Sequence, residues 1–312
     1  MGCVGLTITL TKQRRYSSTG SARCILETLA YLLALFSAGF YGAADFTCGL
    51  ATRRATTLPV VFLSQGAGLV LVALALPVLP PAAPSNADLW WGAVAGVAGG
   101  IGVALLYRAL AVGTMSIVAP VTAVTAVALP VLSSIALGER PGWIALIGIL
   151  LGIASIMLVS RQPGSTSPQE PALSAPRKTG IGPALIAGIA MGVFLLALAQ
   201  THREAGLWPL LTDRIASMAF FGIVMTIARA APRLPLNVLA LALGGGALDM
   251  LANALYLLAV RIGPFSPVVA LCALYPATTV LFARAILGER LSTWQAAGVA
   301  TALIAVVLIV SG

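Results

Sequence analysis

Ten runs of mostly apolar residues, each about twenty long, fill most of this 312-residue chain. Twenty apolar residues in a helix span the roughly 30 Å of a bilayer's hydrocarbon core. Backbone groups find no water there, so such runs must satisfy their own hydrogen bonds as helices. The runs are 27–48, 58–80, 88–110, 115–136, 142–160, 181–201, 209–230, 236–260, 265–287 and 293–311, punctuated by Pro80-Pro81, Gly138-Glu139-Arg140-Pro141 and Ala231-Pro232-Arg233. Composition agrees: 59% of residues are hydrophobic, 9% are charged, and mean hydropathy is +1.01. A soluble surface needs charged residues at about 25%. The predicted fold class is an all-α membrane protein with ten transmembrane helices.

The net charge of +9 does not point to nucleic acid. The basic residues lie scattered over short loops and helix ends, with no interleaved aromatic platform. The lipid bilayer is the expected partner. Cys3, Cys24, Cys48 and Cys272 form no CxxC pair and no metal-like spacing with the single histidine, His202, so neither a metal site nor a disulfide framework is expected. Residues 1–26 read as a disordered basic tail without a signal-peptide core.

The chain repeats itself. At an offset of 150, Gly138-Glu139-Arg140 falls on Gly288-Glu289-Arg290, Gly113 on Gly263, Ser116 on Ser266, and Gly148 on Gly298. A Ser- and Pro-rich polar linker, 161–180, separates 27–160 from 181–312, each half holding five runs. An odd number of crossings inserts the second half upside down. The expected architecture is therefore two inverted five-helix repeats, a plan suited to alternating access. Gly92-x-x-x-Gly96-x-x-x-Gly100, Gly148-x-x-x-Gly152 and Gly188-x-x-x-Gly192 predict close helix packing. Gly244-Gly245-Gly246 is expected to loosen its helix or leave room for a ligand.

Ten runs in two halves, each with Gly-Glu between its fourth and fifth runs, resemble the EamA-type members of the drug/metabolite transporter superfamily. Phe40-Tyr41-Gly42-Ala43-Ala44-Asp45-Phe46, running on to Arg53-Arg54, is similar to one bacterial branch. Leu274-Tyr275-Pro276, followed by Glu289, matches the family's spacing, and Arg214 matches an arginine that opens the second helix of a repeat. The first half departs from this pattern at Ala126, with Pro130 displaced by four, and at Ser64 in place of an arginine. The resemblance implies a secondary transporter, an exporter or permease for a small metabolite or drug-like solute. It also implies a multi-pass protein of the bacterial inner (plasma) membrane, with both termini cytoplasmic and no cofactor. The loop arginines and lysines give no positive-inside bias in that orientation.

Asp249 is the strongest site candidate. It sits mid-run between Leu248 and Met250, where a charge costs at least about 2.5–3.5 kcal/mol on insertion scales. It should therefore face the bundle interior, with Asn253 and Tyr256 on the same helical face. Burial penalises a charged carboxyl, which makes Asp249 the candidate proton site. Ser37, Tyr41, Asp45 and Cys48 share one face of the first run, although Asp45 lies close enough to the helix end to reach headgroups. Tyr275, Thr278 and Thr279 form a polar face on the ninth run, where Pro276 should kink the helix. Arg214 can meet an anionic group or tie helices together. The adjacent Asp213 is not expected to pair with it. Arg108 and Arg284 should snorkel, while Glu139 and Glu289 should fix helix ends and loops.

No Walker A sequence is present, so a transporter of this kind would run on an ion or solute gradient. The rival reading is an intramembrane enzyme. It lacks support from any Gly-x-Ser-x-Gly or His-Glu-x-x-His sequence.

Overall fold

The computed structural model describes residues 20–136, 142–160, 180–263, 268, 271–289 and 291–311. Among them are ten α-helices: α1 (Gly20–Thr52), α2 (Thr57–Ala75), α3 (Asn86–Val112), α4 (Met115–Ala136), α5 (Trp143–Ser160), α6 (Ile181–Ala199), α7 (Trp208–Ile227), α8 (Leu236–Ile262), α9 (Tyr275–Leu287) and α10 (Thr293–Ser311). The described residues contain no strand. Six helices, α1, α2, α3, α6, α7 and α8, are long and apolar enough to cross a bilayer, and the described apolar stretches of the other four are shorter. Gly138-Glu139-Arg140, Ser266, Arg290 and most of the tail and linker lie outside the described residues.

Local chemistry sets the helix limits. α1 starts at Gly20, inside the segment read as tail. Nothing between Gly20 and Tyr31 breaks a helix, and Ala22 to Ala30 are largely good helix formers. α2 gives way to a 3₁₀ turn, Leu76–Val78, because Pro77 lacks the donor an α-helix needs there. α3 opens with a capping box: the Ser85 hydroxyl accepts from the Asp88 amide at 3.2 Å, and the Asp88 carboxylate accepts from the Ser85 amide at 2.8 Å. α9 begins after a break at Ala273–Leu274, with Pro276 in its first turn. A missing N–H is harmless in a first turn, so the proline marks a helix start and not a mid-helix kink. Trp90, Trp143, Trp208 and Trp294 are 67%, 71%, 36% and 60% exposed, all near the starts of their helices. That is where a membrane interface favours tryptophan.

The halves pack by exchange. α1 lies on α8 as α6 lies on α3, α2 on α8 as α7 on α3, and α1 on α9 as α6 on α4. The pairs α2–α7, α5–α10, α4–α9, α4–α10 and α1–α3 also pack. Contacts along the helices give their directions. On α1 and α8, Ala30 meets Gly263, the Ser37 hydroxyl donates to the Ala252 carbonyl at 2.8 Å, and Cys48 meets Gly245, so these helices are antiparallel. On α3 and α6, Gly99 meets Phe194 and Gly102 meets Met191, again antiparallel. α2 runs with α8 (Ser64–Gly246, Gly68–Met250) and against α7 (Phe62–Gly222, Gly66–Met218). α3 runs with α7 (Gly92–Pro209, Gly96–Asp213, Gly100–Ser217). Hence α1, α3 and α7 point one way and α2, α6 and α8 the other. Repeat-equivalent helices run in opposite directions.

The glycine spacings mark these crossings. Gly42 of α1 abuts Tyr275, Thr278 and Thr279 of α9, and Gly192 of α6, 150 residues on, abuts Ala126 and Leu129 of α4. Gly96 faces the Asp213 backbone of α7, and its counterpart Gly246 faces the Ser64 backbone of α2. This corrects one expectation. Gly245 and Gly246 give their space to Cys48 and Ser64, not to a ligand, while Gly244 has open space around it. A Cβ on Gly246 would collide with main chain, which no rotamer relieves. Gly246→Val should therefore cost more than the roughly 1–3 kcal/mol of ordinary overpacking. Gly244→Ala should stabilise the helix by up to about 1 kcal/mol. Melting temperature and yield of monodisperse protein in detergent should fall sharply for the first and hold or rise for the second.

Candidate functional site

The buried charges gather where α2, α7 and α8 meet, two helices from one half and one from the other. Arg214 lies in the second turn of α7, after Trp208 and Pro209, and is 5% exposed. Its Nη2 donates to Asp249 Oδ2 on α8 at 2.6 Å, and its Nη1 donates to the Gln65 side-chain oxygen on α2. A guanidinium fork suits this, because it offers planar donors to two acceptors at once. The Asp249 side chain retains 16% exposure. Asn253, one turn on and 4% exposed, donates from Nδ2 to the Asp249 carbonyl at 2.8 Å and to Asp249 Oδ2 at 3.3 Å. The shared helical face of Asp249 and Asn253 therefore exists as a hydrogen-bonded pair.

Arg214 reaches mid-helix depth on its neighbour and meets the Asp249 carboxylate, an anionic group of the kind expected for it. One expectation changes here. Arg214 Nε also lies 3.3 Å from Asp213 Oδ2. The arginine chain folds back toward its own neighbour, which adjacency on a helix argued against. Nε makes no hydrogen bond in that position, so the contact is an ion pair by distance alone. Gln65 escaped the sequence reading. The signal for it was an amide in the otherwise apolar run 58–80, beside Ser64.

The first-helix candidates lie alongside. Ala44 and Cys48 pack against Gly245, one turn from Asp249. Asp45 is 8% exposed. The Tyr41 and Tyr275 rings are 6.1 Å apart and tilted by 59°. Thr279 is fully buried, and its hydroxyl donates to the Gly42 carbonyl at 3.3 Å and the Tyr275 carbonyl at 3.4 Å. Thr279 is thus spent on the α1–α9 crossing, and Thr278 packs against Gly42 in the same crossing. Tyr256 is half-buried beside Tyr31 and Cys272, in a cluster that joins α1 to α8. Two pockets, of about 440 and 490 Å³, lie elsewhere. One is an apolar groove on α3 reaching Ala216, and the other surrounds the α1–α2 turn and Arg108. Neither includes a candidate residue. Arg108 and Arg284 are exposed. No group of three or more potential metal ligands occurs among the described residues.

At one end of the bundle, Glu289 ties the halves together. Its carboxylate accepts from the Met115 amide at 3.1 Å, the Ser116 amide at 3.0 Å and the Ser116 hydroxyl at 2.9 Å. It thereby caps the start of α4 from another segment. It also accepts from Arg53 Nη2 at 3.2 Å, and Arg53 holds the Leu110 and Gly113 carbonyls at the end of α3. Glu289→Ala should remove this cap at a cost of about 1–2 kcal/mol. Hydrogen exchange at the Met115 and Ser116 amides should accelerate at least tenfold. Near a helix end of the other half's loop, His202 bonds Asp88 Oδ1 through its amide (2.7 Å) and Nδ1 (2.9 Å), a structural tie.

With this geometry in place, comparison with known proteins is informative. The model of the EamA-like transporter family matches residues 28–161 and again residues 178–311. No curated protein matches. A solved structure described as "Crystal structure of protein" aligns over 93% of this chain and 96% of its own, at 17% identity and a TM-score of 0.49, too distant to bear on the argument. The two family matches fall one on each five-helix half and together span most of the chain. This multi-pass integral membrane protein therefore belongs to the EamA-like transporter family, within the drug/metabolite transporter superfamily.

Proposed function

We propose that this protein is a secondary transporter, an exporter or permease that moves a small metabolite or drug-like solute across the bacterial inner membrane. Ten spans, arranged as inverted five-helix repeats over 27–160 and 181–312 and joined by the linker 161–180, would rock about the central site. The observation that carries this reading is the Arg214–Asp249 pair at 2.6 Å, joined to Gln65 across the junction of the two halves. A buried ion pair is a poor way to gain stability. Its placement on helices that must shift relative to one another suits a switch with two arrangements. Asp249 can hold either the guanidinium or a proton. Exchange between these partners couples a proton gradient to the movement of α7 and α8. The Glu289–Arg53 tie at one end holds that end closed and breaks when the site opens there.

The test is flux. Purified protein in liposomes should carry a labelled solute, chosen by a growth-inhibition screen of cells overproducing the protein, and deliver the label chemically unaltered. Recovery of an altered label would establish the enzyme reading instead. Absence of flux for every solute that the screen selects would end the transport reading.

A further inference from the structure

The cavity of about 490 Å³, where the α1–α2 turn meets the last turns of α3, has walls of two kinds. Leu58, Leu105 and Val112 make one part apolar, and Arg108, Thr56 and Thr57 supply the polar groups. Arg108 is exposed and has no hydrogen-bond or ion-pair partner among the described residues. The Arg54 side chain, beside Ala55 of the cavity wall, is exposed and equally unpaired among them. No carboxylate lines the cavity. The nearby Arg53 is already taken by the Leu110 and Gly113 carbonyls and by Glu289. The start of α2 in the same wall carries no acidic residue in its first turn, and the Thr56 side chain makes no cap bond there.

Depth along α3 places this cavity in the bilayer. Trp90 stands at the start of the helix, where an interface favours tryptophan. Arg108 follows 18 residues later, which at 1.5 Å per residue is about 27 Å. That is close to one hydrocarbon thickness. Arg108 therefore lies at the opposite headgroup level, with Leu105 toward the tails.

We propose that this cavity binds an anionic phospholipid, its phosphate on Arg108 and the start of α2 and an acyl chain along the apolar wall. Charge complementarity selects the anion: two unpaired arginines meet no carboxylate. A guanidinium offers paired donors that match phosphate oxygens, and the open amides of a helix start add to them. The apolar wall selects a lipid over free phosphate, which would leave Leu105 and Val112 without a partner. A zwitterionic headgroup fits worse, because its own cation would face Arg54 and Arg108. The site touches neither Arg214 nor Asp249 and is independent of the transport reading. A lipid held there clamps the α1–α2 turn against α3.

The experiment is native mass spectrometry of the delipidated full chain, titrated with phosphatidylglycerol, phosphatidylcholine or inorganic phosphate. The first phosphatidylglycerol should bind at least tenfold more tightly than the first phosphatidylcholine, and millimolar phosphate should not displace it. Arg108→Gln should weaken that first binding at least fivefold, and Arg108→Lys should weaken it less. Ala111→Phe, which narrows the cavity without changing charge, should also weaken it at least fivefold. Arg284→Gln, an exposed arginine outside the cavity, should leave it unchanged. If Arg108→Gln does not fold, Ala111→Phe and Arg284→Gln decide the matter. Equal affinity for the two lipids, displacement by phosphate, unchanged affinity in Arg108→Gln or Ala111→Phe, or an equal loss in Arg284→Gln would each overturn the proposal.

Discussion

Arg214→Gln is expected to cost about 3–5 kcal/mol, the range for removing one partner of a buried ion pair and leaving the other uncompensated. The loss should be large because Arg214 is 5% exposed and serves three side chains, Asp249, Gln65 and Asp213. Glutamine is too short to reach α8 and α2 together. Combining Arg214→Gln with Asp249→Asn should recover part of the stability, since the amide leaves no charge stranded. A double-mutant cycle on melting temperatures in detergent reads the coupling directly. Strictly additive losses would mean that the two side chains do not interact.

Asp249→Asn is the second large effect, and it falls on transport. The amide is similar in size to the carboxylate. Arg214 keeps Gln65 and the nearby Asp213 carboxylate, so folding should survive with a smaller loss than Arg214→Gln causes. What disappears is the group able to exchange a guanidinium for a proton. Uptake driven by a pH gradient should fall at least tenfold, while solute exchange at equal pH continues. Normal pH-driven uptake by this variant would end the coupling proposal. A variant that loses melting temperature yet transports normally would make Asp249 a structural hydrogen-bonder.

Much of the fold was legible because lipid simplifies the grammar. Run lengths, Pro80-Pro81 and the Gly-Glu repeat placed helices α3 to α8 and α10 within a few residues, whereas α2 ends at Ala75, short of its run 58–80, because Pro77 follows. The offset of 150 marked the two halves, but the exchange of contacts between them, with Gly42 and Gly192 and again Gly96 and Gly246 in equivalent places, is visible only in the structure. The site was less legible. Arg214 falls near a helix start in the sequence, which suggested a place near the membrane face. Depth along one helix says little about what a long side chain reaches on a neighbour, and α2 and α8 cross α7 there. Gln65 and Asp249 are 149 and 35 residues from Arg214, beyond any periodicity. The glycine triplet misled for a related reason. An absent side chain looks the same in sequence whether a ligand or a neighbouring backbone fills the space.

Alternating access about the Arg214–Asp249 junction is the central claim, and two-sided accessibility tests it most directly. In protein with its native cysteines replaced, Thr278→Cys places one thiol on the half-buried face of α9 toward α1. Its reaction rate with an impermeant maleimide is then measured separately from each side of the membrane, with and without Glu289→Ala. The account predicts reciprocal change: releasing the Glu289 tie raises the rate from that end and lowers it from the other. Rates that rise together from both sides, or that do not respond to Glu289→Ala, would contradict it.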